Sequence, residues 1–245
     1  MQSGVKEETR LSIGGSNNKG IYRRFLKRPM DFVLSLMAII VLSPILIIVG
    51  VLVRVKLGSP VLFKQKRPGL NEKIFTMYKF RTMTDEKDKN GELLPDSVRL
   101  TKFGRMLRST SLDELPELFN ILKGDMSIVG PRPQLVRDMV FMTSEQRIRH
   151  TIHPGLTGWA QVNGRNNVTW EDKLSLDIEY FSEITFVKDT KIIFMTVAKV
   201  FKKEDVSTEG METAEDLGDY LLRIGKIDRE EYEENQKLSR NLLAK

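Results

Sequence analysis

The longest apolar run in the chain spans residues 30–53, 24 positions with Asp31 as their only charge. A helix crosses the bilayer core with roughly 20 apolar residues, so the run is long enough to span. Ser43-Pro44 lies near its middle, where a proline removes one helical hydrogen bond and kinks the axis. Basic residues flank both ends: Arg23, Arg24, Lys27 and Arg28 before it, then Arg54, Lys56, Lys64, Lys66 and Arg67 after it. The positive-inside tendency holds both flanks on the cytoplasmic face. A kinked span and a helix–break–helix hairpin dipping into one leaflet both remain open. The flanking charges and the proline favour the hairpin.

Elsewhere the pattern is that of a small mixed domain. Residues 1–20 are polar and aperiodic and read as a disordered leader, without the cleavage site of a signal peptide. Residues 64–69 read as a basic turn, 73–83 as a short strand or hairpin, and 85–97 as a surface loop. Leu115, Leu118, Phe119 and Leu122 recur at helical spacing and predict a short amphipathic helix. Pro116 falls in its first turn, and Gly124 stands where a left-handed residue ends it. Ser111 and Glu114 match the S-x-x-E capping box. Further helices are predicted over 134–141, 144–150, 169–180 and 187–201, with a glycine-rich loop at 153–165. Two more follow at 214–224 and 229–243, with Thr213 and Asp228 as N-caps.

Charge changes this picture in one respect. The net charge is +6, but residues 204–245 carry 12 acidic and 6 basic side chains, which leaves 33 basic and 21 acidic in 1–203. A basic body seeks anionic partners, and the acidic tail is expected to dock on that body or on another protein. The absence of cysteine fits a reducing compartment and excludes thiolate metal sites.

Candidate chemistry gathers in residues 105–133, RMLRSTSLDELPELFNILKGDMSIVGPRP. The adjacent acids Asp113 and Glu114 stand at the predicted helix start, where backbone N–H groups and the helix dipole favour anions and ions. Such a pair is more often a plain cap. Here Lys79, Arg81, Arg108, Arg132 and Arg165 also sit in glycine- and proline-punctuated segments, and arginine forks suit bidentate phosphate recognition. Carboxylates, a helix terminus and several cations are what phosphoryl transfer requires. There is no phosphate-loop lysine motif, and aromatic platforms do not alternate with the basic residues, so nucleic acid is not the expected partner. His150 and His153 lack the companions of a transition-metal site and read as surface histidines.

These residues carry a resemblance. The chain resembles the bacterial sugar transferases, the monotopic phosphoglycosyl transferases, over about residues 21–202. The motifs are KFRTM at 79–83, SLDELPELFNILKGDMSIVGPRP at 111–133, PGLTGWAQVNGR at 154–165 and WEDKLSLD at 170–177, together with the Ser43-Pro44 break. The resemblance implies transfer of a sugar 1-phosphate from a UDP-sugar to polyprenyl phosphate, with release of UMP. It implies Asp113 as nucleophile and Glu114 as a ligand of Mg²⁺. It places Lys79, Arg81, Arg108 and the Pro131-Arg132-Pro133 segment around the nucleotide and its phosphates, with Arg165 and Asp177 lining the pocket.

The expected architecture is a mostly helical α+β chain in four parts. A leader (1–20) precedes a membrane-associated segment (21–67) with a re-entrant helix broken at Ser43-Pro44. A small cytoplasmic catalytic domain with short strands (68–205) and an acidic helical extension (206–245) follow. The resemblance puts the protein on the cytoplasmic face of the inner membrane, in contact with lipid, and is compatible with a homo-oligomer. It shows no sign of the additional multi-span domain of larger relatives. A silent membrane adaptor and a UDP-sugar enzyme tethered by one spanning helix are the competing readings.

Overall fold

The computed structural model describes residues 20–164, 169–202 and 215–244. Residues 1–19 of the expected leader, Arg165, Thr213 and the 205/206 boundary lie outside them. The described residues are mostly helical, with two small two-stranded sheets among them.

A π-helical turn, Tyr22–Leu26, runs directly into α1, Lys27–Leu57. The apolar run is therefore one helix, which corrects the break expected at Ser43-Pro44. Proline lacks the N–H that would bond the carbonyl of Ile40, four residues back. The hydroxyl of Ser43 donates to that carbonyl at 2.8 Å. The serine thus makes good the bond that its neighbour removes, and the helix continues.

One stripe of α1 faces the rest of the molecule: Asp31, Ser35, Ala38, Leu42, Leu46, Val49, Val53 and Leu57. Their spacing of three and four residues is that of a single helix face. Around the other side Ile40, Val41, Ile47, Ile48, Val51 and Val55 are exposed. The helix is fastened at both ends. Asp31 accepts from Ser127 Oγ (2.6 Å) and from the Ile128 amide (3.1 Å), while Arg28 donates to the carbonyls of Met126 and Ile121. At the far end Arg81 donates to the carbonyl of Leu57 and, at 3.0 Å, to that of Ser59. The lone charge of the apolar run is thus an anchor to the body.

β1 (Leu62–Pro68) and β2 (Ile74–Phe80) form an antiparallel hairpin in which Leu62 faces Phe80 and Pro68 faces Ile74. The basic turn expected at 64–69 is strand instead. Lys64 and Lys66 are exposed on it, so its sequence lacks an apolar alternation and only its pairing defines it. Next come α2 (Lys102–Ser109), α3 (Glu117–Lys123), β3 (Ser127–Val129), α4 (Val136–Met139) and β4 (Gly155–Thr157). Then α5 (Trp159–Asn163), α6 (Trp170–Ser182) and α7 (Phe186–Lys202) complete the body.

β3 and β4 pair in parallel, Ser127 opposite Gly155 and Val129 opposite Thr157. The backbones meet so closely that a Cβ on Gly155 would stand 2.1 Å from the amide nitrogen of Gly130. Backbone on both sides cannot yield as a side chain would. Gly155→Ala is therefore expected to cost about 3 kcal/mol, at the upper end for overpacking, read as a lowered denaturant midpoint. An unchanged midpoint would refute this close packing.

The acidic tail docks on the body. α8 (Leu217–Arg223) and α9 (Arg229–Ala244) cover an apolar cluster of Phe141, Met142, Trp170, Leu174 and Leu217. The Leu217 amide donates to Asp138, the Trp170 indole to the Glu215 carbonyl, and Arg137 pairs with Asp216 at 2.8 Å. The first tail helix starts at Leu217 rather than 214, with Asp216 before it. Asp228 caps the second as expected, accepting from the Glu231 amide at 2.8 Å.

Candidate active site

The carboxylate pair is presented by a turn, not by a helix start. α2 is capped by Thr101, whose hydroxyl accepts from the Gly104 amide at 3.0 Å. After it Ser111 takes a left-handed backbone (φ 53°) and makes no side-chain cap. The expected capping box is absent, because this conformation turns the chain into a 3-10 turn, Leu112–Glu114, ahead of α3. Pro116 then stands at the N-cap of α3, and Gly124 ends it with φ 101°, as expected. Asn120 docks α3 on β2: its side-chain amide donates to the Thr76 carbonyl at 2.7 Å, and its oxygen accepts from the Tyr78 amide at 3.1 Å. That docking brings Lys79 of β2 up to the acidic turn.

The two acids differ in their partners. Lys79 lies 2.7 Å from Glu114 Oε1, and Arg132 binds the same oxygen. Burial alone would raise the Glu114 pKa. The charges and hydrogen bonds of Arg132 and Lys79 outweigh it and hold the group well below the carboxylate range. Asp113 is buried beside the same cations but has no direct bond to them among the described residues. Burial, then the neighbouring Glu114 charge, pushes its pKa up to about 6. One acid is clamped and ionised; the other is unclamped and more basic.

The Pro131-Arg132-Pro133 segment is held at three successive carbonyls. That of Pro131 accepts from the Gly155 amide (2.9 Å), that of Arg132 from Arg149 (2.6 Å), and that of Pro133 from Arg67 (3.2 Å). Two prolines with fixed φ and three pinned carbonyls leave Arg132 little freedom. Its guanidinium is aimed at Glu114.

Lys79, Asp113, Glu114 and Arg132 thus come together, with Arg108 close enough to act on Asp113 by charge. Arg108 itself donates to Thr82 Oγ1 at 3.1 Å. Arg81 has other partners: besides closing the end of α1 it pairs with Asp85 at 2.5 Å. Asp177 is fully buried and pairs with Arg149 at 2.7 Å. His150 is buried, not at the surface, and burial with the adjacent Arg149 charge lowers its pKa to about 3.

Three site residues escaped the sequence reading. Glu117 is buried 3.2 Å from Lys79, and desolvation raises its pKa to about 7. Its position three residues after Glu114 was a usable signal. Arg67 lies near Arg132; burial and that like charge lower its pKa to about 10. Two arginines that repel each other at close range favour an anion between them, and their forks suit phosphate. Arg149 carries no local signal at all.

A divalent cation fits this donor set in one way. Among the described residues no group of three or more acids or histidines is arranged to hold a metal alone. Mg²⁺ commonly takes one or two carboxylates and completes its shell with substrate phosphates and water. Both cationic side chains bond Glu114 through Oε1, which leaves Oε2 as the oxygen for a metal.

The family model for bacterial sugar transferases matches residues 22–203. The chain belongs to the bacterial sugar transferase family. The uncharacterized sugar transferase EpsL of Bacillus subtilis is 51% identical over 190 residues, covering 78% of this chain and 94% of that protein. The UDP-glucose:undecaprenyl-phosphate glucose-1-phosphate transferase of Escherichia coli is 40% identical over 188 residues, 73% of this chain. A UDP-N-acetylgalactosamine-undecaprenyl-phosphate N-acetylgalactosaminephosphotransferase of Aeromonas hydrophila is 34% identical over 188 residues, 72% of this chain. The match covers only 40% and 44% of the lengths of these last two transferases. The dyad, the pinned arginine and α1 all fall inside the family match, and the acidic tail falls outside it.

Proposed function

We propose that this sugar transferase moves a sugar 1-phosphate from a UDP-sugar to polyprenyl phosphate, in two steps through a phosphosugar on Asp113. The observation that carries the reading is the division within the acid pair: Glu114 is clamped by Lys79 and Arg132, while Asp113 is unclamped among the same cations. An Asp113 carboxylate oxygen attacks the β-phosphorus of the donor. The bond between that phosphorus and the bridging oxygen breaks, and UMP leaves with the oxygen. Lys79, Arg67, Arg108 and Arg132 bind and orient the diphosphate and stabilise charge building on the departing UMP. A phosphate oxygen of the lipid then attacks the same phosphorus, and the Asp113 carboxylate is released as the polyprenyl-diphosphate sugar forms. Dividing the transfer lets two bulky anions use one site in turn. Mg²⁺ held by Glu114 would neutralise diphosphate charge. Such a product opens the assembly of an exopolysaccharide, capsule or other glycoconjugate.

The membrane seat follows from α1. A helix of about 46 Å at 1.5 Å per residue exceeds the bilayer core. A spanning helix would leave the body within a few turns; this one touches it along its whole length. Ile21 and Phe25 just ahead of it are exposed too, as are Phe186, Val187 and Phe194 of α7, where Phe186 packs edge-on against Tyr22. We read α1 as re-entrant in the broad sense: seated in one leaflet, unbroken, with both ends on the cytoplasmic side. In sealed inside-out vesicles, cysteines introduced by Tyr22→Cys and Lys64→Cys should both react with an impermeant thiol reagent. Labelling from opposite sides would mean that α1 spans.

The reaction is tested with purified protein, a panel of UDP-sugars and no acceptor. UMP release with a phosphosugar mass added to Asp113 is the expected result. An adduct on another residue, or turnover without one, would overturn the two-step route.

A further inference from the structure

We propose that a second cavity, between α1, the hairpin and α3, receives the isoprenoid chain of the lipid acceptor; this rests on the reading above. The cavity has a volume of about 580 Å³, within the range of small-molecule sites. Leu46 and Ile47 of α1 form one wall, Leu62 and Phe80 of the hairpin another, and Pro116 and Phe119 a third. Its polar groups are the hydroxyl of Tyr78 and the ammonium of Lys123, bonded to each other at 3.0 Å.

Three observations point to a chain entering from the bilayer. Ile47 is 66% exposed and belongs to the apolar face of α1 that we seat in the lipid, so cavity and membrane face share a wall. The other walls lead into the segments that hold the dyad. Phe80 follows Lys79, the partner of Glu114, and Pro116 lies two residues beyond Glu114. Nothing in a nucleotide or a sugar calls for a hydrocarbon trench, whereas the acceptor is a hydrocarbon with a phosphate at one end. Lys123 supplies a cation at the rim for that phosphate as it approaches. The trench would hold the first isoprene units and so set the angle at which the phosphate meets the phosphosugar.

Two full-length variants test this. Val61→Trp fills the cavity, and Phe119→Ser removes one apolar wall at a side chain already 41% exposed. Each should raise the KM for undecaprenyl phosphate at least about tenfold. Adduct formation from UDP-sugar without acceptor should stay within about twofold. An unchanged KM for undecaprenyl phosphate in both variants, with normal adduct formation, would overturn the cavity's role and leave the proposed reaction standing. Should Val61→Trp also lose adduct formation, it has disturbed the fold and Phe119→Ser decides. If the parent protein forms no adduct with any UDP-sugar, the reaction itself is wrong. The cavity is then judged by p-benzoylphenylalanine at position 119, in vesicles holding undecaprenyl phosphate and phosphatidylglycerol. Crosslinks to undecaprenyl phosphate that survive excess phosphatidylglycerol support it. Crosslinks spread in proportion to lipid abundance would make the cavity a seat for bulk lipid and end the proposal.

Discussion

Asp113→Asn abolishes UMP release and the covalent adduct together, by a factor on the order of 10⁴ or more. The amide keeps the shape of the side chain but cannot act as an anionic nucleophile, and Glu114 cannot replace it because Lys79 and Arg132 hold its carboxylate. Two further measurements separate this loss from unfolding. The first is pH. Attack requires the ionised form, and burial with the Glu114 charge places the Asp113 pKa at about 6. In the free enzyme, adduct formation should therefore fall about tenfold per pH unit below that value and level off above pH 7. The second is stability. A carboxylate whose pKa is raised on folding stabilises the fold only while it is protonated. That contribution is complete below the unfolded value and is lost as pH rises through about 6. At pH 8 the ionised Asp113 is then a cost on the order of 2–3 kcal/mol. Asp113→Asn should melt higher than the parent at pH 8 and at nearly the same temperature at pH 4. A variant that is inactive and also melts lower at pH 8 would show that Asp113 supports the fold, contrary to the role given it here.

What could be read from the sequence was what neighbours along the chain decide. Gly124 ending α3 and Asp228 capping α9 are local events within a turn or two. The acid pair and the arginine between two prolines stood out for the same reason. The readings that failed depended on distant partners. Residues 64–69 look like a turn until β2 pairs with them. Pro44 looks like a break until the Ser43 hydroxyl is seen on the Ile40 carbonyl. Arg81 looks like another phosphate ligand until α1 brings the carbonyl of Leu57 to it. Ser111 matched a capping box by spacing, but its backbone sign, which spacing does not encode, turned the carboxylates into a separate 3-10 turn.

Arg149 is the extreme of this kind, and its replacement has the second large effect. Its side chain is buried, donates to Asp177 through Nε at 2.9 Å and to the Arg132 carbonyl at 2.6 Å. Arg149→Met keeps much of the volume and leaves the Asp177 carboxylate buried without its partner. Removing one member of a buried pair costs about 3–5 kcal/mol, so the variant should unfold at a much lower denaturant concentration. Replacing both members, Arg149→Met with Asp177→Leu, removes the stranded charge and should recover most of that stability, because hydrophobic pairs often match buried ion pairs. Activity should not return with it. The Arg132 carbonyl is still unpinned in the double variant, and a displacement of about 1 Å in the guanidinium that faces Glu114 lowers the rate of adduct formation roughly 100-fold. Stability and rate thus part company in the double variant. If both recover, the pair serves the fold alone. If stability recovers and the rate does not, Arg149 holds Arg132 in place for the reaction.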